Sequence, residues 1–240
     1  MRFDEGNFRG EADFLFETSP GEPPGPQALI ARQAAGWSLP VHFHLQHQFQ
    51  VVLRGSGTLG SHILQPGSVH YTSPQSGYGP TRAGEEGLDY FTLRVLTEKG
   101  AWYLPEARTA MTLGIFKEQK WASLNPAAPA RGWQTLLELR EDGLAAWACT
   151  SQAGESVACP EKDSGGGRFY VVIRGKFSEG TTDLPEESCL YWAPPEAAPH
   201  LVTMASNSLL VVVQFPRQAR LNEVPAELQV APSPRGKKVN

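Results

Sequence analysis

The sequence predicts an all-β protein that contains two similar β units in tandem. Short runs rich in Val, Leu, Phe, Tyr and Thr are bounded, roughly every 8 to 12 residues, by Gly, Pro, Ser or Asn, a texture typical of sandwiches and barrels. Few segments show the apolar period of an amphipathic helix. With 40% hydrophobic residues over 240 positions, the chain can bury a sizeable core.

Two sequence matches at one separation predict that the β unit is duplicated. Residues 51–55 (VVLRG) match residues 171–175 (VVIRG), and residues 91–95 (FTLRV) match residues 211–215 (VVVQF). Both matches are separated by 120 residues, which is half of the chain. We therefore expect the same strands, in the same order, in each half.

The segments outside the repeat predict the domain organisation. Residues 20–26 hold four prolines and predict an extended linker behind an N-terminal arm. Residues 131–150 favour a hairpin with its turn at residues 141–143 (EDG). We predict an arm and linker over 1–26, a first unit over 27–100, a connection with a short helix over 101–129, a second unit over 130–216 and a polar tail over 217–240.

Composition restricts the class of partner and the compartment. A net charge of −4 and a pI near 5.9 argue against a nucleic-acid or membrane-surface partner, and a small-molecule ligand becomes the expected one. No apolar run is long enough to span a membrane, and the N-terminus does not resemble a signal peptide. Cys149, Cys159 and Cys189 lack zinc-type spacing and are interpreted as reduced thiols. We expect a cytoplasmic homodimer, since exposed edge strands commonly pair.

Residues 36–55 contain the candidate site. His42 and His44 are two residues apart on an expected strand, so they share a face and can converge on a metal or a proton-transfer site. Gln48 and Gln50 also share a face, and buried amides need hydrogen-bond partners. They either form a polar floor for a ligand or satisfy each other, the two histidines and trapped water.

This stretch resembles the first motif of the cupin family. That motif is a glycine, five residues, H-x-H, three or four residues, a glutamate, six residues and a glycine. Gly36, His42, His44 and Gly55 are in register with it, and Gln48 stands at the glutamate position.

The family's second motif is matched less closely. Counting forward from Gly67 places Tyr78 at the position of its histidine, whereas counting back from the second half by the repeat separation places Pro80 there. In the second half, His200 fits that histidine. The first motif is there reduced to Lys162, Ser164 and Arg168 before Gly175.

The resemblance implies two tandem cupin barrels, of the double-stranded β-helix or jelly-roll type, forming a bicupin over residues 27–216. Cupins include metal-dependent dioxygenases, isomerases, sugar-binding regulators, storage proteins and members without activity. The fold therefore does not decide the function.

A divalent metal, Zn, Fe, Mn or Ni, is the cofactor that the resemblance implies, with His42, His44 and Gln48 as ligands and Tyr78 as a further one. Because an amide oxygen replaces the anionic ligand, weak or absent occupancy is also expected. Restoring the anion by Gln48→Glu is predicted to raise metal affinity. The remaining pocket candidates of the first unit are Gln50, His47, His70 and Tyr78.

The second unit is interpreted as structural. Arg168 stands at the carboxylate position, where a cation repels a metal, and it is expected to pair with an acid or to point outward. His200, Arg168 and Trp192 are the candidates for a second pocket there.

Three functions are compatible with these residues, and whether the protein is an enzyme stays open. The first is a metal-dependent small-molecule oxygenase or isomerase. The second is a non-catalytic or regulatory small-molecule binder. The third is a structural or interaction protein without a ligand.

Overall fold

A computed structural model describes residues 1–3, 6–19, 22–125, 131–158 and 165–221. Cys159, Lys162, Ser164 and residues 222–240 of the predicted tail lie outside the described residues. Within these ranges the regular elements are β-strands and two 3₁₀ helices, Glu106–Ala110 and Arg217–Leu221, which confirms the predicted all-β class. None of the helices described is long and apolar enough to cross a membrane.

The chain divides into two compact units, one containing residues 1–66 and 70–121 and the other containing residues 67–69 and 122–221. Cys149 is buried, Cys189 is partly buried, and both are free thiols. The short helix expected in the 101–129 connection is the 3₁₀ helix Glu106–Ala110.

The strands of the first unit are Arg2–Phe3 (β1), Gly10–Phe16 (β2), Gln27–Gln33 (β3), Ser38–Leu39 (β4), His42–Phe43 (β5), Gln48–Leu59 (β6), His62–Leu64 (β7), Val69–Thr72 (β8), Thr81–Arg94 (β9), Trp102–Tyr103 (β10) and Gln119–Ala122 (β11). Nine of these strands form one sheet, whose main path runs β1-β2-β3-β9-β6-β8-β11, with β4 paired to β9 and β7 paired to β6. Strands β5 and β10 form a separate two-stranded sheet.

The strands of the second unit are Gly132–Leu137 (β12), Ala145–Ser151 (β13), Ser156–Val157 (β14), Arg168–Arg174 (β15), Lys176–Glu179 (β16), Thr182–Pro185 (β17), Cys189–Trp192 (β18), Leu201–Thr203 (β19) and Ser208–Gln214 (β20). They form a five-stranded sheet, β12-β13-β20-β15-β18, and a four-stranded sheet, β14-β19-β16-β17. Strands β12 and β13 form the predicted hairpin.

An apolar core fills the second unit between its two sheets. Trp147, Tyr170 and Val212 come from the five-stranded sheet, Phe177 and Leu201 from the four-stranded one, and all belong to one buried cluster. Alternation along each strand places these residues on the inner faces. The interior of the second unit is thus occupied by large side chains.

The predicted duplication is visible in the strand pairing. Strand β6 pairs with β9 in the first unit as β15 pairs with β20 in the second, and the paired positions are 120 residues apart. Strands β6 and β15 each have a shift in pairing register just before a glycine, and such a bulge bends the strand. Gly55 and Gly175 have φ of 74° and 81°, a left-handed conformation that favours glycine. The matched pairs are Val51↔Phe91 with Val171↔Val211, and Arg54↔Asp89 with Arg174↔Leu209.

Candidate functional site

The candidate site of the first unit is assembled at one end of three neighbouring strands. Gln27 begins β3, Gln48 begins β6 and Arg94 ends β9. Gln27 pairs directly with Arg94, and Gln48 precedes the Phe49↔Leu93 pair, which aligns it with Arg94. All three side chains are buried.

His42 and His44 are both buried in this region, and their ring centroids lie 5.3 Å apart at an interplanar angle of 89°. His42 is fixed by two backbone hydrogen bonds with Tyr78, of 3.1 and 2.9 Å. Its ring also lies 4.4 Å from the Tyr78 ring and 5.6 Å from the Tyr103 ring, centroid to centroid. Tyr78, rather than Pro80, is therefore the residue that stands beside His42.

The hydrogen bonds of His42 define its tautomer. Nδ1 lies 2.8 Å from the carbonyl oxygen of Pro40, which can only accept, so Nδ1 carries the proton. Burial, with the nearby charge of His44, lowers the pKa of His42 to about 3, so the ring is neutral near pH 7. Nε2, which lies 2.9 Å from the Tyr78 hydroxyl, is consequently the acceptor.

A directional chain of hydrogen bonds follows from that tautomer. The Tyr78 hydroxyl donates to His42 and accepts from Nε2 of Gln48, at 2.7 Å. Oε1 of Gln48 accepts from Nη2 of Arg94, at 2.6 Å. Burial raises the pKa of Tyr78, which keeps the phenol protonated. The chain therefore runs from the guanidinium to the imidazole with each group in one orientation.

Arg94 and Glu98 form a buried pair of charges, with 4.0 Å between Nε and Oε2 and side chains 4% exposed each. Nη1 of Arg94 donates to Oε1 of Gln27, at 2.6 Å. The Glu98 carboxylate accepts from the backbone amides of Leu45 and Gln46, at 2.9 to 3.0 Å. Burial raises the pKa of Glu98, but His44, Arg94 and the Leu45 amide outweigh it, so the net shift is downward.

His44 lies between these two charges. Its Nδ1 is 3.1 Å from Nη2 of Arg94 and 3.6 Å from Oε1 of Glu98. Burial and then the positive charge of Arg94 lower the pKa of His44, although Glu98 acts against them.

Gln50 and His70 form a second polar contact in the same interior. Nδ1 of His70 lies 2.9 Å from Oε1 of Gln50, and the His70 ring lies 4.9 Å from that of Tyr78. Burial lowers the pKa of His70 to about 3, although the side chain of Gln119 acts against that shift. The expectation that Gln48 and Gln50 satisfy each other is corrected. Gln48 bonds to Tyr78 and Arg94, whereas Gln50 bonds to His70.

His47 is buried, but on another side of the sheet. Its Nδ1 lies 2.6 Å from the Tyr71 hydroxyl. Since Tyr71 follows His70 directly on β8, the two side chains point to opposite faces, and only His70 faces Tyr78. The structure does not bring His47 together with His42 and His44.

Arg168 of the second unit does not point outward, which corrects that part of its expected placement. It is 1% exposed, donates from Nε to Oε1 of Gln214, and lies 5.8 Å from the Trp147 ring and 5.3 Å from the Trp192 ring. These aromatic faces stabilise a cation. His200 is instead exposed beside Ser156 of the four-stranded sheet, whereas Arg168 and Trp192 are paired directly on the five-stranded sheet.

The arrangement in the first unit does not fit a divalent metal. Nε2 of His42 is occupied by the Tyr78 hydroxyl, and the Arg94 guanidinium contacts both His44 and Gln48. A divalent cation there would meet a buried positive charge. No group of three or more His, Cys, Asp or Glu side chains in the described residues has the geometry to hold a metal ion.

Comparisons with known proteins give structural matches. No family model and no curated protein sequence matches the chain. The Escherichia coli pirin YhhW, solved with nickel(II), has a TM-score of 0.55 at 12% identity, covering 85% of this chain and 91% of its own. Salicylate 1,2-dioxygenase from Pseudoaminobacter salicylatoxidans has a TM-score of 0.53 at 14% identity, covering 88% and 78%.

Oxalate decarboxylase from Bacillus subtilis, whose structure concerns its Mn(II) centres, has a TM-score of 0.51 at 14% identity, covering 80% of this chain and 69% of its own. These matched proteins have the cupin fold. The chain is therefore a protein of the cupin fold with two units in tandem, which confirms the predicted fold class. Two of the matched structures concern a divalent metal, nickel(II) in one and Mn(II) in the other.

Sequence reasoning missed Arg94, Glu98 and Gln27. A signal for Arg94 was present, since it shares the inward parity of Tyr90 and Thr92 on the same strand. The repeat offered a second signal for Arg94. Position 48 is Gln and its equivalent, 168, is Arg, whereas position 94 is Arg and its equivalent, 214, is Gln. Glu98 follows β9 in an irregular segment, where no period identifies it.

Proposed function

We propose that the chain is a small-molecule-binding protein of the cupin fold, and that it binds its ligand in the interior of the first unit without a metal. The observation that carries this proposal is the Arg94 guanidinium, which donates to Gln48 and contacts His44 in the place where the family resemblance implies a metal. A permanent cation and a set of neutral donors suit hydrogen bonding to an organic molecule.

Two buried polar atoms support a ligand in this interior. Within standard hydrogen-bond distances and angles, Nε2 of His70 and Nε of Arg94 have no partner among the described residues, although the side chain of Gln119 is near enough to His70 to act on the pKa of its ring. Buried polar groups in native proteins are nearly always satisfied by protein, water or ligand. In the neutral ring, Nδ1 of His70 donates to Gln50, which leaves Nε2 as an acceptor for a hydroxyl or N–H group.

A thermal-shift screen against sugars, aromatic acids and nucleotides tests this proposal. At 100 times its Kd, a ligand stabilises the native state by about 2.7 kcal/mol, which raises Tm by roughly 5 to 10 °C for a chain of this size. His70→Phe, which removes the free acceptor, is expected to abolish the shift, whereas His200→Gln at an exposed position should retain it. A screen in which none of the three classes raises Tm contradicts the proposal. A structural or interaction protein without a ligand would then be the favoured function.

A metal-dependent oxygenase or isomerase is the second candidate. It is favoured by the 5.3 Å separation of the His42 and His44 rings and by the nickel(II) and Mn(II) of two matched folds. Protein purified without a histidine tag is expected to hold less than about 0.1 equivalent of any transition metal, since Arg94 repels it. Stoichiometric metal in mass spectrometry, lost in His42→Gln, would reverse the order of the two candidates.

We further propose a cytoplasmic homodimer with the domain boundaries given by the sequence. The edge of the sheet at β2 supports pairing between copies, because β1 spans only Arg2–Phe3 and pairs with Gly10 and Glu11 at one end of β2. The net charge of −4 supports a partner that is not a nucleic acid.

A further inference from the structure

We infer that Arg94 is the resident cation of the first unit, and that Arg94 rather than Gln48 controls whether a divalent metal can bind. The inference concerns the metal-binding capacity of the site. It is tested with a metal ion alone and does not depend on the ligand proposed above.

The contacts of Arg94 show a side chain fixed in place. It is 3% exposed and donates from Nη1 to Gln27 and from Nη2 to Gln48, both at 2.6 Å. The Glu98 carboxylate balances its charge from 4.0 Å. Charge-assisted hydrogen bonds of this length to two neighbouring strands hold the guanidinium beside the imidazoles.

The second unit contains the same buried Arg–Gln hydrogen bond, with the arginine and the glutamine in exchanged positions. Arg168 occupies the position equivalent to Gln48, Gln214 occupies the position equivalent to Arg94, and Nε of Arg168 donates to Oε1 of Gln214. In each unit one buried guanidinium therefore bonds to one buried amide across the same pair of strands. A pairing that is kept while its members change places indicates that the interior requires the cation–amide pair itself.

This geometry argues against the expectation that Gln48→Glu alone raises metal affinity. The new carboxylate would lie where Oε1 of Gln48 now accepts from Arg94, at 2.6 Å. It would form an ion pair with the guanidinium, whose charge and position still oppose a second cation.

Removing the guanidinium changes the donor set. In Arg94→Met the positive charge is absent, and Glu98, with Oε1 at 3.6 Å from Nδ1 of His44, is left as an anion beside the imidazoles. Adding Gln48→Glu supplies a second carboxylate. Two histidines and carboxylate oxygens then form a donor set suited to Ni²⁺ or Zn²⁺.

The test is calorimetric titration with Ni²⁺ of the full-length parent, Gln48→Glu, Arg94→Met and the double variant Arg94→Met/Gln48→Glu. We expect the double variant to bind about one equivalent at least 100-fold more tightly than Gln48→Glu, and Gln48→Glu to differ from the parent by less than threefold. Arg168→Met is the matched control. It removes a buried guanidinium that faces Trp147 and Trp192, so it should gain no nickel binding.

The inference is overturned if Gln48→Glu alone binds one equivalent of Ni²⁺ at least tenfold more tightly than the parent. It is also overturned if the folded double variant binds no better than Gln48→Glu. Circular dichroism establishes folding, and if the double variant does not fold, the comparison of the parent with Gln48→Glu decides the result. The ligand screen is independent, so failure of either proposal is recognised separately.

Discussion

Exchange of Arg94 for methionine is expected to lower the free energy of unfolding by about 3 to 5 kcal/mol, because it leaves the buried Glu98 carboxylate without its counter-charge. The side-chain oxygens of Gln27 and Gln48 lose their hydrogen-bond donor at the same time as Glu98 loses the neighbouring positive charge. A loss of this size is a large part of the total stability of a typical domain. Urea unfolding followed by tryptophan fluorescence measures it.

The control for this prediction is an exposed ion pair of similar chemistry. Lys176 lies 2.6 Å from Asp183, with side chains 40% and 62% exposed, so Lys176→Met should cost no more than about 1 kcal/mol. The double variant Arg94→Met/Glu98→Leu removes both buried charges and is expected to be less destabilised than the sum of its single exchanges. Equal losses for Arg94→Met and Lys176→Met would contradict the buried pair.

Acidification from pH 6.5 towards pH 4 is expected to destabilise the protein steeply. Burial lowers the pKa of both His42 and His70 to about 3, whereas in the unfolded chain a histidine titrates near 6.5. Between these values the unfolded chain binds protons that the folded chain does not, so the free energy of unfolding rises with pH and falls on acidification. Each histidine contributes up to about 1.4 kcal/mol per pH unit.

Urea unfolding at pH 7, 6, 5 and 4 measures this dependence. His70→Gln, which keeps a donor for Gln50, should reduce the slope by the contribution of one histidine. Exchange of the exposed His200 for glutamine serves as the matched control. A free energy of unfolding that stays constant from pH 6.5 to pH 4 would show that the two imidazoles are not held neutral by burial.

The fold could be predicted because its determinants are local and repeated. Alternation along the strands, turn residues between them and the 120-residue repeat follow from the sequence, and the pairs Val51↔Phe91 and Val171↔Val211 show the repeat in the structure. The spacing from Gly36 to Gly55 added the cupin resemblance. The matches at TM-scores of 0.51 to 0.55 are consistent with both.

The chemistry of the site could not be predicted to the same degree, because it depends on distant contacts. A motif spacing identifies His42 and His44, but it does not show which groups occupy their ring nitrogens. Arg94 lies 46 residues from Gln48, yet the antiparallel pairing of β6 with β9 brings their side chains within hydrogen-bond distance. A contact between residues this far apart in the sequence is not recognised from local patterns.

The sequence by itself thus determined the all-β class, the tandem duplication and the convergence of His42 and His44. The tertiary structure decided what that interior contains: Arg94 and Glu98 as a buried ion pair, and Tyr78 bonded to His42. The physical reason is that strand parity is set by the backbone within a few residues. The protonation and availability of a buried imidazole are set by burial and by the charges and hydrogen bonds around it, whatever their distance along the chain.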